Sequence, residues 1–280
     1  MKLYLPQISE TLLIPLWGRA EETRKQDALV RDPQSLAMFS QMDYDFGKFS
    51  RAQVSQTAVA VRTFLLDREV LAFLAQHPQA VVINLGAGLD TRFLRCRREG
   101  VDWYDLDLPE VIAIRRKFFE ESEHYHFWAG SVLEQAWMSA IPHDSRPVLL
   151  IAEGLLMYFS EEEVRQLLRN LAERFPGAEM LLEVTDYRLV GRGRYHDALK
   201  KVSDSLDFRW GWRPDRAALE AWHPQIQFLH AWYLFDFAKE RWGWMGFFAR
   251  LPGVRLTNGI LHIRFTPAFS RRNPFFAKED

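Results

Sequence analysis

The amino-acid sequence predicts an α/β protein built on a doubly wound, mostly parallel sheet of seven strands. From residue 80 onward, short apolar segments alternate with helical segments, which is typical of a parallel sheet with helices on both faces. The first apolar segment ends in a Gly-x-Gly turn at Gly86 and Gly88. Residues 1–75 lack a convincing strand pattern, so they are expected to form a helical cap.

The N-terminal cap is expected to consist of helices separated by polar breaks. Helix-forming residues dominate 21–30 and 53–74, and a shorter helix is expected over 34–42. Asp32 and Pro33 interrupt the pattern, because proline starts a helix more readily than it continues one.

The strands are predicted from apolar runs that are bounded by turn residues. The fourth run is apolar throughout, as expected for a central strand that is covered on both faces. The predicted strands are residues 80–85, 101–107, 125–129, 147–152, 179–185, 226–235 and 259–265.

The helices between the strands are predicted from caps and helical periodicity. Asp90 is expected to cap a helix that runs to residue 99, where Gly100 ends it. Ser160 followed by Glu163 is a capping box that opens the clearest helix of the chain. Further helices are expected after Pro109, over 133–140 and over 214–222, with a polar helical insertion over 187–207 after strand five.

The composition excludes several classes of protein. The chain has 280 residues, is 48% apolar and carries a net charge of −1, so it lacks the basic excess of a general nucleic-acid binder. Cys96 is the single cysteine, which is compatible with a reducing cytosol. No apolar run reaches the ~18 residues of a membrane span, and Pro15 makes the N-terminal run a poor signal peptide. A cytoplasmic protein without nucleic-acid or membrane partners is expected. The sequence does not predict the oligomeric state.

The most informative stretch is residues 81–92, VVINLGAGLDTR, where the glycine turn joins a strand to a helix. Small residues there let the backbone approach a ligand. Asp107 follows Gly88 by 19 residues at the end of the next apolar run, where a carboxylate can accept hydrogen bonds from a ribose. This order of features favours a nucleotide-type cofactor.

The turn differs from the dinucleotide-binding fingerprint. Thr91 stands where that fingerprint has its third glycine, and Asp90 precedes it. Since a carboxylate repels a pyrophosphate, the turn favours a phosphate-free cofactor with a positive sulfonium, S-adenosylmethionine, over NAD.

Several further residues follow the ends of the predicted strands. The carboxyl ends of parallel strands share one edge of a sheet, so these residues are expected to meet in a single crevice. They are Gly86, Gly88, Asp107, Ser131, Val132 and Glu153.

Each of these residues also has a purely structural interpretation. The glycines could serve only the turn, and Asp107 could serve only as a helix cap. A salt bridge is as compatible with Glu153 and Arg62 as a ligand contact is. Asp105 alternates with Asp107, so it is expected on the other side of the strand in a solvated or structural role.

Two features of the last third of the chain are ambiguous. His196 could be a general base near the substrate, although an exposed histidine is the favoured interpretation. An aromatic cluster could be a substrate lid, although packing against the sheet is favoured. The cluster contains Trp242, Trp244, Met245, Phe247 and Phe248.

Three motifs carry a family resemblance: residues 84–92, NLGAGLDTR, residues 105–112, DLDLPEVI, and residues 152–158, AEGLLMY. With them, the chain resembles the leucine carboxyl methyltransferase family, more closely its bacterial branch associated with polyketide-type O-methylation. The similarity covers roughly residues 9–190 and includes Arg19, Asp32-Pro33 and Val61-Arg62-Thr63.

The resemblance implies a class I, Rossmann-like methyltransferase fold with S-adenosylmethionine as cofactor and S-adenosylhomocysteine as product. It implies that Arg62 holds the cofactor carboxylate, that Asp107 accepts the ribose hydroxyls and that Glu153 lies near the methionine part. The family often has Asp-Leu at the adenine contact, where this chain has Ser131 and Val132. The cofactor-binding residues expected are Arg62, Gly86, Ala87, Gly88, Asp107, Leu108, Ser131, Val132 and Glu153.

The expected function is O-methylation of a small-molecule carboxylate or of a phenolic or enolic hydroxyl, without a metal. No catalytic base stands out, which favours an acceptor that ionises easily. The alternatives are an NAD(P)-dependent oxidoreductase and a non-catalytic S-adenosylmethionine-binding protein. The expected divisions are a helical cap at 1–75, the cofactor-binding core at 76–186, the insertion and substrate cap at 187–250, and the final strand and tail at 251–280.

Overall fold

Seven strands form one sheet in the computed structural model, which describes residues 10–193, 196–202 and 207–267. The strands are β1 (Val81–Leu85), β2 (Asp102–Asp107), β3 (Tyr125–Ala129), β4 (Val148–Ala152), β5 (Glu179–Thr185), β6 (Ile226–Tyr233) and β7 (Asn258–Phe265). Each begins and ends within two residues of its predicted bounds, and the largest difference is at β6, which ends two residues early. The predicted α/β fold is confirmed.

The strand order is β3-β2-β1-β4-β5-β7-β6. Strands β1 to β5 pair in parallel, while β7 runs antiparallel to both β5 and β6. The chain order reverses between β1 and β4, and a crevice opens beyond the carboxyl ends of strands at such a point. The topology therefore places the ligand site at the ends of β1, β2 and β4.

Helices cover both faces of the sheet. They are α1 (Leu13–Thr23), α2 (Pro33–Gln41), α3 (Gln53–Gln76), α4 (Arg92–Cys96), α5 (Pro109–Arg115), α6 (Ala136–Ala140), α7 (Glu161–Arg174), α8 (Arg216–Glu220), α9 (Trp244–Phe248) and α10 (Pro252–Arg255). On one face Val82 and Leu149 pack with Leu66 of α3, and on the other Ile83 and Leu150 share a core with α7. The N-terminal helices thus cover one face, as predicted.

The capping box of α7 is present as predicted. The Ser160 hydroxyl accepts a hydrogen bond from the Glu163 backbone N–H at 3.3 Å, and the Glu163 carboxylate accepts one from the Ser160 N–H at 2.7 Å. Both unpaired donors at the start of the helix are satisfied in this way, so α7 begins where its sequence signal predicts.

Some predicted helices are displaced or shorter than expected. The helix predicted over 21–30 is misplaced, since α1 runs over Leu13–Thr23 and the buried Glu22 carboxylate accepts the Leu29 N–H at 2.7 Å from the turn that follows. Helix α4 ends at Cys96 rather than at residue 99, since Arg97 is already extended. The helix predicted over 133–140 begins at Ala136.

The insertion after β5 consists, in its described residues, of short 3-10 turns at Tyr187–Leu189 and Leu199–Lys201 rather than of α-helix. The Asp186 carboxylate accepts the Arg188 N–H at 2.8 Å, and Asp207 accepts the Gly193 N–H at 2.6 Å. Such side-chain bonds to the backbone favour turns over helix.

The division of the chain at residues 75, 186 and 250 stays a prediction. Strand β6 joins the sheet from within the segment 187–250. The basic tail after residue 270 lies outside the described residues. Within the described ranges, every helix is too short or too polar to cross a bilayer.

Candidate active site

A cavity of about 440 Å³ lies beyond the carboxyl ends of β1, β2 and β4. Residues at the start of α1 also line it. This volume is within the range of small-molecule sites. All nine residues predicted to bind the cofactor line it: Arg62, Gly86, Ala87, Gly88, Asp107, Leu108, Ser131, Val132 and Glu153. Residues from five separate segments therefore meet in one place.

The glycine turn after β1 needs its glycines for two reasons. Gly86 and Gly88 have φ of +65° and +50°, a conformation that other residues rarely adopt. A Cβ on Gly86 would also lie 2.7 Å from Leu155 Cδ1, and one on Gly88 would lie 3.4 Å from Leu12 Cβ. Gly86 is thus needed both for its conformation and for its close packing against Leu155, whereas Gly88 is needed for its conformation.

Asp107 faces the cavity at the end of β2. Its Oδ2 accepts the Gly88 N–H and its Oδ1 accepts the Leu108 N–H, both at 2.7 Å. Leu108, not Asp107, occupies the N-cap position of α5, so the helix-cap interpretation of Asp107 is wrong. Burial raises the pKa of Asp107, although the two backbone N–H groups oppose this effect. The carboxylate retains lone pairs that can accept the hydroxyls of a sugar diol.

Two buried guanidiniums hold the carbonyls of the glycine turn. Arg115 donates to Gly88 O and to Asp90 O, both at 2.8 Å, and Arg19 of α1 donates to Leu89 O at 2.7 Å. The function of Arg115 was not predicted, because its two carbonyl acceptors lie 25 and 27 residues away in the sequence. These contacts fix the backbone that lines the cavity floor.

Asp105 is structural and buried rather than solvated. Its carboxylate accepts from Arg115, from Tyr125 Oη at 2.6 Å, from Asn84 Nδ2 at 3.0 Å and from Trp103 Nε1 at 3.1 Å. The predicted alternation of Asp105 and Asp107 is confirmed, since only Asp107 lines the cavity.

Glu153 lies between two arginines at the end of β4. Its Oε1 accepts from Arg62 Nε at 2.7 Å and its Oε2 accepts from Arg92 Nη2 at 2.6 Å. Burial would raise the pKa of Glu153, but the two guanidiniums outweigh it and lower the pKa. The salt-bridge interpretation is therefore confirmed, while Glu153 also lines the cavity.

Arg62 joins this ion-pair network from α3. Its Nη1 donates to both oxygens of Glu183 at 2.9 Å, and Glu183 also accepts the Gly154 N–H at 2.7 Å. Within the described ranges, Arg62 Nη2 has no hydrogen-bond acceptor. One edge of the guanidinium is thus held by carboxylates, and a donor remains for an anionic group.

Beyond Asp107 the cavity wall is small and apolar. Val132 and Leu133 follow β3 there, and Leu108 faces them from the start of α5. The Ser131 hydroxyl accepts the Leu133 N–H at 3.2 Å, which leaves its O–H as a donor. This end fits a flat heterocycle between apolar side chains, with no carboxylate at the Ser131 position.

The opposite end of the cavity is lined by residues that the sequence did not single out. Met157, Leu199 and Phe208 form a small buried cluster that is separate from the two main cores, and Tyr158 packs against it. All four line the cavity, together with His196, whose side chain is 39% exposed. An exposed position away from any site was the favoured interpretation of His196, but His196 is part of the cavity wall.

The aromatic cluster near residues 242–248 does not form a lid over the cavity in the described part of the chain. Trp242 is buried against Phe235, with ring centroids 4.2 Å apart, whereas Trp244 and Phe247 are about 70% exposed. Trp210 and Trp212 pack in the core on the α7 side of the sheet. The packing interpretation holds for the buried tryptophans.

Comparison with known proteins agrees with this geometry. The sequence profile of the leucine carboxyl methyltransferase family matches residues 13–172. The chain is 30% identical over 268 residues to the tetracenomycin polyketide synthesis O-methyltransferase TcmP of Streptomyces glaucescens, covering 93% of this chain and 98% of that protein. It is 29% identical to the S-adenosyl-L-methionine-dependent methyltransferase dpfgK of Gibberella zeae, covering 89% and 91%.

The fold is also shared with a solved structure. A DUF574 family protein from Streptomyces avermitilis superposes with a TM-score of 0.59 at 11% identity, covering 91% of this chain and 97% of the other. The oxidoreductase and the non-catalytic alternatives are set aside by the family match. The chain belongs to the leucine carboxyl methyltransferase family and is an S-adenosylmethionine-dependent methyltransferase with the α/β fold of that enzyme class.

Proposed function

We propose that this enzyme methylates an oxygen of a small-molecule acceptor, either a carboxylate or an acidic phenolic or enolic hydroxyl. The observation that carries the proposal is one cavity with two differently built ends. Strand ends and the glycine turn form one end, and the apolar cluster of Met157, Leu199 and Phe208 forms the other. Two ligands can therefore meet in a space of about 440 Å³.

The residues of the first end fit S-adenosylmethionine. The Asp107 carboxylate would accept the ribose hydroxyls, and Gly86 and Gly88 add no Cβ atoms to the cavity floor. Arg62 would donate to the cofactor carboxylate. Leu108, Ser131 and Val132 would contact the adenine, and Ala87 would complete the floor. Bound there, the cofactor supplies an electrophilic methyl group on a sulfonium.

The acceptor end supports an aromatic, readily ionised substrate. Tyr158 and Phe208 lie with ring centroids 6.2 Å apart and can stack against a planar ring. Among the carboxylates that line the cavity, Glu153 and Glu183 are held by Arg62, and Glu163 accepts from the N–H and the hydroxyl of Ser160, so none of these three is a strong base. The name of the relative TcmP, a polyketide synthesis O-methyltransferase, fits an acceptor of this kind.

Two measurements test this proposal. Calorimetry should show binding of S-adenosylmethionine and S-adenosylhomocysteine but not of NAD. Cofactor with a radiolabelled methyl group should then label naphthoic acid, as its methyl ester, in preference to naphthalenemethanol, which carries a weakly acidic alcohol. Transfer only to the alcohol would contradict the proposed acceptor class, and transfer to a nitrogen compound alone would contradict O-methylation.

A further inference from the structure

His196 is held in a defined orientation at the acceptor end of the cavity. Its Nδ1 accepts the Leu199 backbone N–H at 3.1 Å, and its ring meets Phe208 edge-on at 6.0 Å and 85°. The next residue, Asp197, accepts hydrogen bonds from the Ser55 hydroxyl and backbone N–H on α3. The loop that carries His196 is thus attached to a helix that lines the same cavity.

The bond from Leu199 fixes which ring nitrogen carries the proton. A nitrogen that accepts a hydrogen bond is unprotonated, so the neutral ring must carry its proton on Nε2. Burial and the positive charge of Arg62 lower the pKa of His196, and they outweigh Asp197, whose carboxylate lies 3.9 Å from Nδ1. At neutral pH the ring is therefore a neutral N–H donor at Nε2, which has no partner within the described ranges.

We propose that His196 contacts the acceptor through Nε2–H and donates to an oxygen that is already ionised when it binds. This inference rests on the proposed function and narrows its acceptor class. An Nε2 that carries a proton has no lone pair with which to accept another, and the Nδ1 lone pair accepts the Leu199 N–H, so His196 is a donor and not a general base.

The neighbouring groups offer the acceptor no strong base. Glu163 lines the cavity, but its Oε2 accepts from the Ser160 N–H and from the Ser160 hydroxyl, and these bonds lower its pKa. Burial raises the pKa of Tyr158 to about 12, so its hydroxyl stays protonated. Glu183 accepts from Arg62 and from the Gly154 N–H. The acceptor oxyanion supplies the electron pair for the new O–CH₃ bond, and the pair of the broken S–CH₃ bond stays on sulfur. No proton is transferred in this step.

The first test reads the histidine ring without relying on turnover. NMR of isotope-labelled histidine nitrogens in the full chain with S-adenosylhomocysteine should show His196 neutral with Nε2 protonated, assigned by the signal that His196→Gln removes. Adding naphthoate should shift the Nε2–H signal. The proposal would be overturned if the proton were on Nδ1 or if the ring were charged at neutral pH. It would also be overturned if saturating naphthoate left the Nε2–H signal unchanged.

The second test compares variants in methyl transfer to naphthoic acid. His196→Ala should lose about 10- to 100-fold in kcat/KM, the size of one hydrogen bond to a charged group, with KM for S-adenosylmethionine unchanged. His196→Gln keeps an N–H donor and should stay within several-fold of the natural enzyme. His223→Ala is a matched control, since His223 Nδ1 also accepts a backbone N–H, from Gln225 at 3.3 Å, but lies outside the cavity.

The pH profile separates a donor from a base. Transfer to naphthoic acid should be flat from about pH 6 to about pH 8, because this acid is already ionised throughout that range. A base at His196 would instead make the rate rise with pH and would leave His196→Gln as inactive as His196→Ala. If the protein binds S-adenosylmethionine but methylates none of the probes, the proposed acceptor class fails, while the NMR titration still decides the role of the ring.

Discussion

The two ends of the cavity are built in different ways. The cofactor end is formed by strand ends and by a backbone turn whose carbonyls are held by Arg19 and Arg115. The acceptor end is formed largely by short 3-10 turns and by a cluster of three fully enclosed side chains, Met157, Leu199 and Phe208. One end is fixed by buried charges, whereas the other is shaped by loops.

This difference fits the two ligands. S-adenosylmethionine is the same in every enzyme of the class, so its site benefits from a backbone that cannot rearrange. Loops accept sequence change at lower cost than strands, so an acceptor site built from loops can change without disturbing the sheet. A substitution at the cofactor end should therefore cost folding or cofactor binding, and one at the acceptor end should cost only acceptor turnover.

The largest effect is expected for Asp105→Asn. The change leaves the buried Arg115 guanidinium without its counter-ion and places amide hydrogens against Tyr125 Oη. Breaking a buried ion pair by removing one partner typically costs about 3–5 kcal/mol of folding free energy. Urea unfolding followed by circular dichroism measures this loss.

Asp102→Asn is the matched control on the same strand. Asp102 pairs with Arg146 and His124 near the surface, where ion pairs contribute less than about 1 kcal/mol. If both variants lost the same folding free energy, the buried ion pair of Asp105 and Arg115 would contribute no more to stability than a surface pair does. The proposed contrast between the two ends would then fail.

The next largest effect is expected for Asp107→Asn, two residues away. The amide offers only one acceptor oxygen and no charge, so S-adenosylmethionine should bind about 100-fold more weakly. The folding free energy should fall less than for Asp105→Asn, by about 1–3 kcal/mol, because one of the two backbone N–H groups that Asp107 accepts loses its acceptor but no buried guanidinium loses its counter-ion. Calorimetry and urea unfolding on the same sample measure both; unchanged affinity would remove the ribose assignment.

Cofactor affinity should also depend on pH through Asp107. Its pKa is raised mainly by burial, so the ionised form is disfavoured in the free protein and protonates at a higher pH than an exposed aspartate does. Since the proposed contact with the ribose hydroxyls needs the ionised form, affinity should fall as the pH drops through that raised pKa. Calorimetry across acidic pH measures the decline, and Asp107→Asn should abolish it.

The sequence predicted the strands, and it predicted a shared crevice for the residues proposed to bind the cofactor, because these signals are local. An apolar run followed by Gly86 and Gly88 predicts a strand and a turn within a few residues. Asp107 is the last residue of the next apolar run. The motif resemblance added Arg62, whose contacts lie on other elements.

The sequence could not predict which residues pair when they lie far apart in the chain. Arg19 reaches Leu89 across 70 residues, and Arg62 reaches Glu183 across 121. The acceptor wall at Leu199 and Phe208 lies in a polar insertion whose turns are set by single side-chain bonds, such as Asp207 to the Gly193 N–H. Hydrophobic periodicity gives no information about such bonds, and for this reason the prediction of helix in the insertion is wrong.

A smaller effect is expected for Phe208→Leu at the acceptor end. The ring of Phe208 faces Tyr158 and His196, and replacing it by leucine keeps the apolar surface but removes a planar stacking partner. Aromatic pairs contribute about 0.5–1.5 kcal/mol beyond their buried area, so kcat/KM for naphthoic acid should fall by up to about tenfold.

The control for Phe208→Leu is the cofactor itself. Calorimetry should give the same affinity for S-adenosylmethionine as in the natural enzyme, since Phe208 belongs to the cluster with Met157 and Leu199 rather than to the glycine turn. A loss of cofactor affinity as large as the loss of turnover would show that the two ends are one coupled structure.

The smallest effect is expected for Trp244→Ser. The indole is 71% exposed, meets Phe248 edge-on at 5.9 Å and does not line the cavity, so little buried surface is lost. Surface substitutions of this kind usually change stability by less than about 0.5 kcal/mol. Unfolding and turnover of naphthoic acid should both match the natural enzyme. A selective loss of turnover would show that this aromatic segment reaches the acceptor after all, and the acceptor end would then extend beyond the insertion loop.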